Sequence, residues 1–303
     1  MMKNKGIFYG IAAYTAWGLL PLYWKALQGV PPIEILSHRM VWSFLFMLII
    51  LAITRRWAWI RTVVKQPKVL LTFLVTAVLL SVNWFTYIWA VNAGFIVESA
   101  LGYFINPLVN VLLGFIFLKE RLRKGQTAAV LLALVGVLYL TFTYGSLPWI
   151  ALTLAFSFGF YGLLRKTAVL GSLEGLSLEM AWLFLFALGI LVYFEAQGTA
   201  AFGHSPRTTN ILLASTGIIT AVPLLLFAAS ARRVTMATLG ILQYLAPTLQ
   251  FLIGVFIYGE AFSRTQLIGF SFIWVALAVY SAESIRHSRK NATKQTLSVP
   301  AGD

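Results

Sequence analysis

The sequence predicts an all-α polytopic membrane protein whose ten transmembrane helices form two inverted five-helix repeats. Three observations predict it. Hydrophobic residues make up 60% of the 303-residue chain and charged residues 11%, against about 45–50% and about 25% in soluble domains. Apolar runs of about 20 residues, enough to cross ~30 Å of hydrocarbon, recur along nearly the whole length. The segment APTLQFLIGVFIYGEAFSRTQ (Ala246–Gln266) also repeats NPLVNVLLGFIFLKERLRKGQ (Asn106–Gln126) without a gap, at an offset of 140.

The expected spans are Gly6–Gln28, Glu34–Thr54, Val69–Val91, Ser99–Leu118, Gly125–Phe142, Leu147–Leu164, Leu176–Glu195, Thr209–Ala231, Ala237–Tyr258 and Thr265–Ser284. The opening MMKNKG resembles a signal sequence, but its apolar stretch runs past Trp24, too long for a cleaved one, so it is read as a retained first helix. Residues 6–143 form the first repeat and residues 147–284 the second. The polar tail, residues 285–303, is expected to be cytoplasmic and disordered.

With the N-terminus inside, nineteen of the 23 lysines and arginines fall on inside segments; Lys25, Arg39, Arg207 and Arg264 fall outside. The positive-inside rule then puts both termini in the cytoplasm. The split also accounts for the net charge of +14 as attraction of loops to an anionic leaflet, without nucleic acid. With no cysteine, three scattered histidines and no Gly-rich phosphate loop, thiolate metal sites, cysteine nucleophiles and ATP-driven transport by this chain alone are not expected, and no cofactor is.

Each repeat has five spans, an odd number, so the second copy is upside down, the arrangement secondary transporters use around a midplane site. A second echo supports it: AWGLLPLYWK (Ala16–Lys25) lies over SFGFYGLLRK (Ser157–Lys166), and Glu34 has a counterpart in Glu179. Polar and aromatic residues fall in helical stripes. Span one carries Gly10, Tyr14, Trp17 and Pro21. Span three carries Thr76, Asn83 and Tyr87. Span four carries Ser99, Tyr103, Asn106 and Asn110, and span six Ala151, Ala155, Phe158 and Gly162. Span eight has Thr216, Pro223 and Phe227. Span nine has Gln243 and Gln250, the matches of Tyr103 and Asn110.

Tyr14, Trp17, Asn83, Tyr87, Tyr103, Asn106, Asn110, Gln243 and Gln250 are therefore the candidate substrate contacts, lining one pocket with aromatic walls. The alternative is that the amides only join helices, as they commonly do in membrane bundles. Pro107 and Pro247 are candidate gating kinks, with static kinks as the alternative. Glu34, His38, Arg39 and Trp42 cluster at the outer end of span two. Lys25 and His38 are read as an outer vestibule, Glu34 as part of an interfacial ion pair. Glu120 and Glu260, at matching helix ends, are expected to bond to nearby loop backbone, and Glu98 opens span four.

The duplicated NPLVNVLLGFIFLKERL block and the pair Trp17–Gly18 resemble the EamA family of the drug/metabolite transporter superfamily. The runs AAYTAWGLLPLYWK, EILSHRMVWS, NWFTYIWAVN and ESALGYFINPLVNVLLG resemble its RarD group, over roughly Gly6 to Ser284. The resemblance implies a ten-helix permease of the bacterial inner membrane, an exporter of small metabolites or drugs with a central cavity and no enzymatic activity. Small multidrug relatives carry a proton-binding glutamate in the first helix. Span one here has none, and Tyr14 and Trp17 occupy its stripe. The expected partners are a small-molecule substrate and the lipid bilayer. The competing classes are an intramembrane lipid-modifying enzyme, which usually needs paired carboxylates or a metal, and a non-transporting assembly or sensor protein.

Overall fold

The computed structural model describes residues 2–92, 96–144, 149–259 and 263–297. Their regular structure is helical throughout: α1 Met2–Lys25, α2 Pro32–Thr54, α3 Ala58–Val63, α4 Pro67–Asn92, α5 Ile96–Leu118, α6 Lys124–Tyr144, α7 Trp149–Thr167, α8 Ser172–Ala196, α9 Arg207–Ala231, α10 Met236–Gln243, α11 Leu245–Phe256 and α12 Arg264–Leu297. Helix boundaries follow local chemistry. Pro32, whose missing N–H costs nothing in a first turn, starts α2, and Arg55 stops it in the left-handed region at φ 52°. The Thr235 hydroxyl accepts the Thr238 N–H at 3.1 Å and caps α10.

Among the described residues, five helical stretches are long and apolar enough to cross a membrane: Pro32–Thr54, Pro67–Tyr87, Lys124–Thr143, Ser172–Ala196 and Arg207–Ala231. The apolar stretches of α5 and α12, Gly102–Leu118 and Leu267–Tyr280, are shorter. Phe142, Phe186 and Phe256 are 78%, 77% and 78% exposed. Exposure of that order on large apolar rings fits acyl chains rather than water.

Helix packing proceeds through reciprocal pairs. α1 packs on α9 and α11, while α7 packs on α4 and α5; α2 packs on α8 and α9, and α8 also on α4; α6 packs on α12, and α5 on α10. Small residues set the close approaches. A Cβ on Gly18 would lie 2.7 Å from Leu249 Cβ, and one on Gly159 2.7 Å from Val109 Cγ1. Likewise Gly10 faces Leu242, and Gly102 faces the backbone of Ala151.

The structure departs from the sequence expectation in four places. The ninth expected span, Ala237–Tyr258, is broken at Tyr244 into α10 and α11. Pro247 explains the break: it offers no N–H to the Gln243 carbonyl, and its ring crowds that carbonyl. α12 runs on as helix to Leu297 through most of the tail expected to be disordered. That stretch holds Arg286, Arg289, Lys290 and Lys294, good helix formers, and meets no Gly or Pro until Pro300. A short helix, α3, sits in the basic segment after α2, with Val63 buried against Val69 and Phe73. Arg39, counted among outer loop charges, lies inside the bundle. Leu147, Glu260 and the side chains of Glu98 and Ser99 lie outside the described residues.

Candidate functional site

One end of the bundle gathers the start of α1 and the ends of α5, α7 and α9. The Ser230 hydroxyl donates to the Gly6 carbonyl at 2.8 Å, and Lys166 donates to the carbonyls of Ala231, at 3.2 Å, and Val234. Glu120 accepts the Met236 N–H at 3.0 Å and lies 3.9 Å from Lys166 Nζ. The carboxylate thus fixes the N-terminus of α10, where the helix dipole favours an anion. This is the basic end. At the opposite end, Glu34 accepts the N–H groups of Ala201 and Phe202 at 2.7 and 3.2 Å. His38 Nε2 lies 3.7 Å from the same Glu34 oxygen, and its Nδ1 accepts from Trp42 Nε1 at 3.2 Å. Beside them, a pocket of about 270 Å³ opens between α2 and α8, lined in part by Glu34, His38, Trp42 and Phe202. Lys25 is exposed, 5.4 Å over the Tyr258 ring.

Between the two ends lies an amide cluster. Asn106 Nδ2 donates to the Ala155 carbonyl at 2.6 Å. Asn110 Nδ2 donates to Asn106 Oδ1 at 3.1 Å and to Gln243 Oε1 at 3.0 Å. Asn83 Nδ2 donates to the Leu154 carbonyl at 2.9 Å and the Ser157 hydroxyl at 3.1 Å. Gln250 Nε2 donates to the Trp17 carbonyl at 3.1 Å. The amides therefore tie α5 to α7 and α10, α4 to α7, and α11 to α1. Asn110 Oδ1 and the Tyr14 hydroxyl are among the buried oxygens left without a partner among the described residues. Asn110 Oδ1 faces the notch left by Gly159 and Gly162. An orphaned buried acceptor in a membrane bundle is costly unless a ligand or water supplies the donor. Gln243→Leu should lower thermal stability by about 1–3 kcal/mol, because it strips one acceptor from Asn110. A melting curve unchanged from the parent would show that this bond carries no load.

Aromatic rings close the bundle on the basic side of the amides. Phe227 contacts Tyr14 at 6.2 Å, Trp17 at 5.7 Å, Phe158 at 5.0 Å and Tyr161 at 5.8 Å between centroids. Toward the opposite end, Tyr87 and Tyr103 meet edge to face at 5.7 Å. Near them lies a side chain that the stripe reading missed. The Arg39 guanidinium sits 4.9 Å from the Trp24 ring and 4.5 Å from the Trp84 ring. Its Nε donates to the Thr220 hydroxyl at 3.1 Å. The available signal was a lone arginine within an apolar span, with no acid three or four residues away. Pro107 sits inside an unbroken α5, its carbonyl close to Gly240 of α10.

A second missed group is fully buried: Arg165 Nη1 lies 3.7 Å from Glu179 Oε1, with the two side chains 1% and 0% exposed. Tyr161 donates to Glu179 Oε2 at 3.3 Å, and Arg165 Nη2 donates to the Ser172 carbonyl at 3.0 Å. Tyr161 thereby couples the pair to the aromatic closure.

The EamA-like transporter family matches residues 4–142. Protein RarD of Escherichia coli (strain K12) is 45% identical over 289 residues, covering 95% of this chain and 98% of that one. The chain belongs to the EamA family, in its RarD group. The uncharacterized transporter YojE of Bacillus subtilis (strain 168) is 47% identical, covering 94% of this chain and 96% of its own. The chloramphenicol-sensitive protein RarD of Pseudomonas aeruginosa is 34% identical, covering 97% and 99%. A solved crystal structure aligns at TM-score 0.69 and 19% identity, covering 91% of this chain and 97% of its own; that likeness speaks for the fold alone. This EamA-family chain is an integral, multi-pass membrane transporter of the drug/metabolite kind.

Proposed function

We propose that the chain is a secondary transporter that exports small amphipathic or aromatic solutes across the bacterial inner membrane, by alternating access between two inverted five-helix repeats. The observation that carries the reading is reciprocal packing. Exchanging each helix for its sequence-matched copy maps the helix pairs described above onto one another: α1 on α9 becomes α7 on α4, α1 on α11 becomes α7 on α5, and α2 on α9 becomes α8 on α4. Individual contacts follow. Gly18 against Leu249 becomes Gly159 against Val109, and Thr76 bonding to the Phe73 carbonyl becomes Thr216 bonding to that of Leu213. Phe104 and Tyr244, matched at the 140 offset, stack on each other at 6.4 Å, as residues beside a two-fold axis would.

Such symmetry suits alternating access, because the two halves can exchange conformations around a shared midplane site. The proposed site lies between Tyr14, Trp17, Asn110 and Phe227 on the basic side and Tyr87, Tyr103 and Arg39 on the other. Asn83, Asn106, Gln243 and Gln250 hold its walls together. Lys25 and His38 stand at its outer approach, and Pro247 supplies the flexible joint between α10 and α11. In this reading the basic end is cytoplasmic. An aromatic, amphipathic solute fits both the rings and the name of the Pseudomonas relative, which ties that protein to chloramphenicol.

Uptake or counterflow of aromatic solutes in proteoliposomes tests the reading; a reconstituted, folded protein that moves none of them contradicts it. Topology is tested separately in the cysteine-free chain. An Arg61→Cys variant should resist a membrane-impermeant maleimide in intact cells, while Thr199→Cys should react. The reverse pattern would invert the protein in the membrane.

A further inference from the structure

Arg39 is a cation at membrane depth whose surroundings are built for an anion that the protein does not provide. Its only hydrogen bond among the described residues is from Nε to Thr220, midway along α9, so the guanidinium sits near the middle of the bundle. Trp24 and Trp84 cover it at 4.9 and 4.5 Å from their ring centroids. Rings against a guanidinium hold it in place and leave its terminal N–H edge open for an in-plane acceptor. Its electrostatic neighbours are the tyrosines Tyr103, Tyr87 and Tyr23 rather than a carboxylate. Tyr87 and Tyr103 meet edge to face, 5.7 Å between ring centroids.

The other buried charges are engaged elsewhere, although Glu34 keeps one oxygen, Oε2, without a partner among the described residues. Glu34 is held by the Ala201 and Phe202 amides and faces His38, and Arg165 faces Glu179. Lys25 is exposed at the end of the bundle over Tyr258. A membrane-depth cation without a counter-charge is costly, and such residues mark substrate pathways. A guanidinium with a free fork matches a carboxylate in both charge and geometry.

We propose that Arg39 anchors the carboxylate of the transported solute, and that the solutes of this site are aromatic monocarboxylates. The proposal rests on the transport reading above and names its substrate class. A single cation balances one negative charge, so a phosphate dianion would bring an uncompensated charge into the bundle. A zwitterionic amino acid would need an acidic partner for its ammonium, and none stands by Arg39 among the described residues. The solute's ring would lie against Tyr87 and Tyr103, with the carboxylate on the terminal nitrogens of Arg39.

The test compares matched probes on the purified, full-length protein: indole-3-acetate with indole-3-acetamide, and 4-nitrobenzoate with 4-nitrobenzamide. Phenyl phosphate and tryptophan serve as the dianionic and zwitterionic controls. Binding is read by quenching of intrinsic tryptophan fluorescence and by thermal stabilisation. The acids should bind about tenfold or more tightly than their amides, as expected for a charge-assisted pair. Arg39→Gln should abolish that preference while leaving amide binding in place. Arg39→Lys should keep part of it, having the charge but not the fork. The comparison on the parent protein stands even where a variant fails to fold. Equal binding of acid and amide, no binding of either acid, or tighter binding of phenyl phosphate or tryptophan overturns the proposal. Acids that bind but do not cross proteoliposomes would instead count against transport. Flux of the acids unaffected by Arg39→Gln would keep transport and remove the carboxylate anchor.

Discussion

Arg165→Leu is expected to destabilise the folded bundle by about 3–5 kcal/mol, the largest effect of a single substitution outside the proposed substrate path. Arg165 and Glu179 are 1% and 0% exposed, so solvent does not screen the pair and does not replace a missing partner. The leucine variant would leave the Glu179 carboxylate buried without its cation, with the Tyr161 hydroxyl still donating to it at 3.3 Å. It would also free the Ser172 carbonyl and remove the cation from the Phe73 ring, 5.4 Å away. Arg165→Leu combined with Glu179→Leu should recover most of the loss, because replacing both members of a buried pair with apolar groups is often close to neutral. Melting of the three variants in detergent, followed by size-exclusion recovery, checks this. A single mutant as stable as the parent would mean that the pair is solvated or open in the membrane.

Gly217→Leu should destabilise by about 3 kcal/mol and reduce recovery of folded protein. A Cβ on Gly217 would collide with the backbone of Trp42 on α2, and backbone cannot rotate out of the way as a side chain can. α2 and α9 would have to separate. That would break the Ser43 hydroxyl's bond to the Gly217 carbonyl, 3.2 Å, and disturb Arg39, whose bond to Thr220 spans the same pair of helices. Gly189, with nothing within 4 Å of a built Cβ, is the control: Gly189→Leu should be tolerated. Equal recovery of both variants would show that α2 and α9 are not in close contact in the bilayer.

Helix placement was legible because hydropathy and proline punctuation act locally. The break before Pro247 follows from the same local logic once the Gln243 carbonyl is considered, and Pro107 shows why it could not be assumed. One proline sits inside a continuous helix and the other ends one, a difference set by the packing around them rather than by the residue itself. The Asn106–Asn110 bond follows from helical spacing. The bonds from Asn106 to Ala155 and from Asn83 to Leu154 do not, since a backbone carbonyl on another helix leaves no trace in composition. Arg39 and Arg165 were hidden for a related reason. Counting charges near span ends treats every cation as a loop anchor, whereas these two side chains turn inward to Thr220 and Glu179. The candidate site's charge, unlike its aromatic lining, therefore had to be found in three dimensions.

The central claim is that solute crosses between the repeats only when the aromatic closure on the basic side opens. Tyr161 and Phe227 stack within it at 5.8 Å and an interplanar angle of 15°. A Tyr161→Cys/Phe227→Cys variant of this cysteine-free chain can be bridged by a short bis-methanethiosulfonate reagent and released by reductant. Flux of an aromatic solute in proteoliposomes, measured before bridging, after bridging and after reduction, is the direct test. The account predicts flux that stops on bridging and returns on reduction, with each single-cysteine variant unaffected by the reagent. Flux that continues through the bridged protein would contradict it.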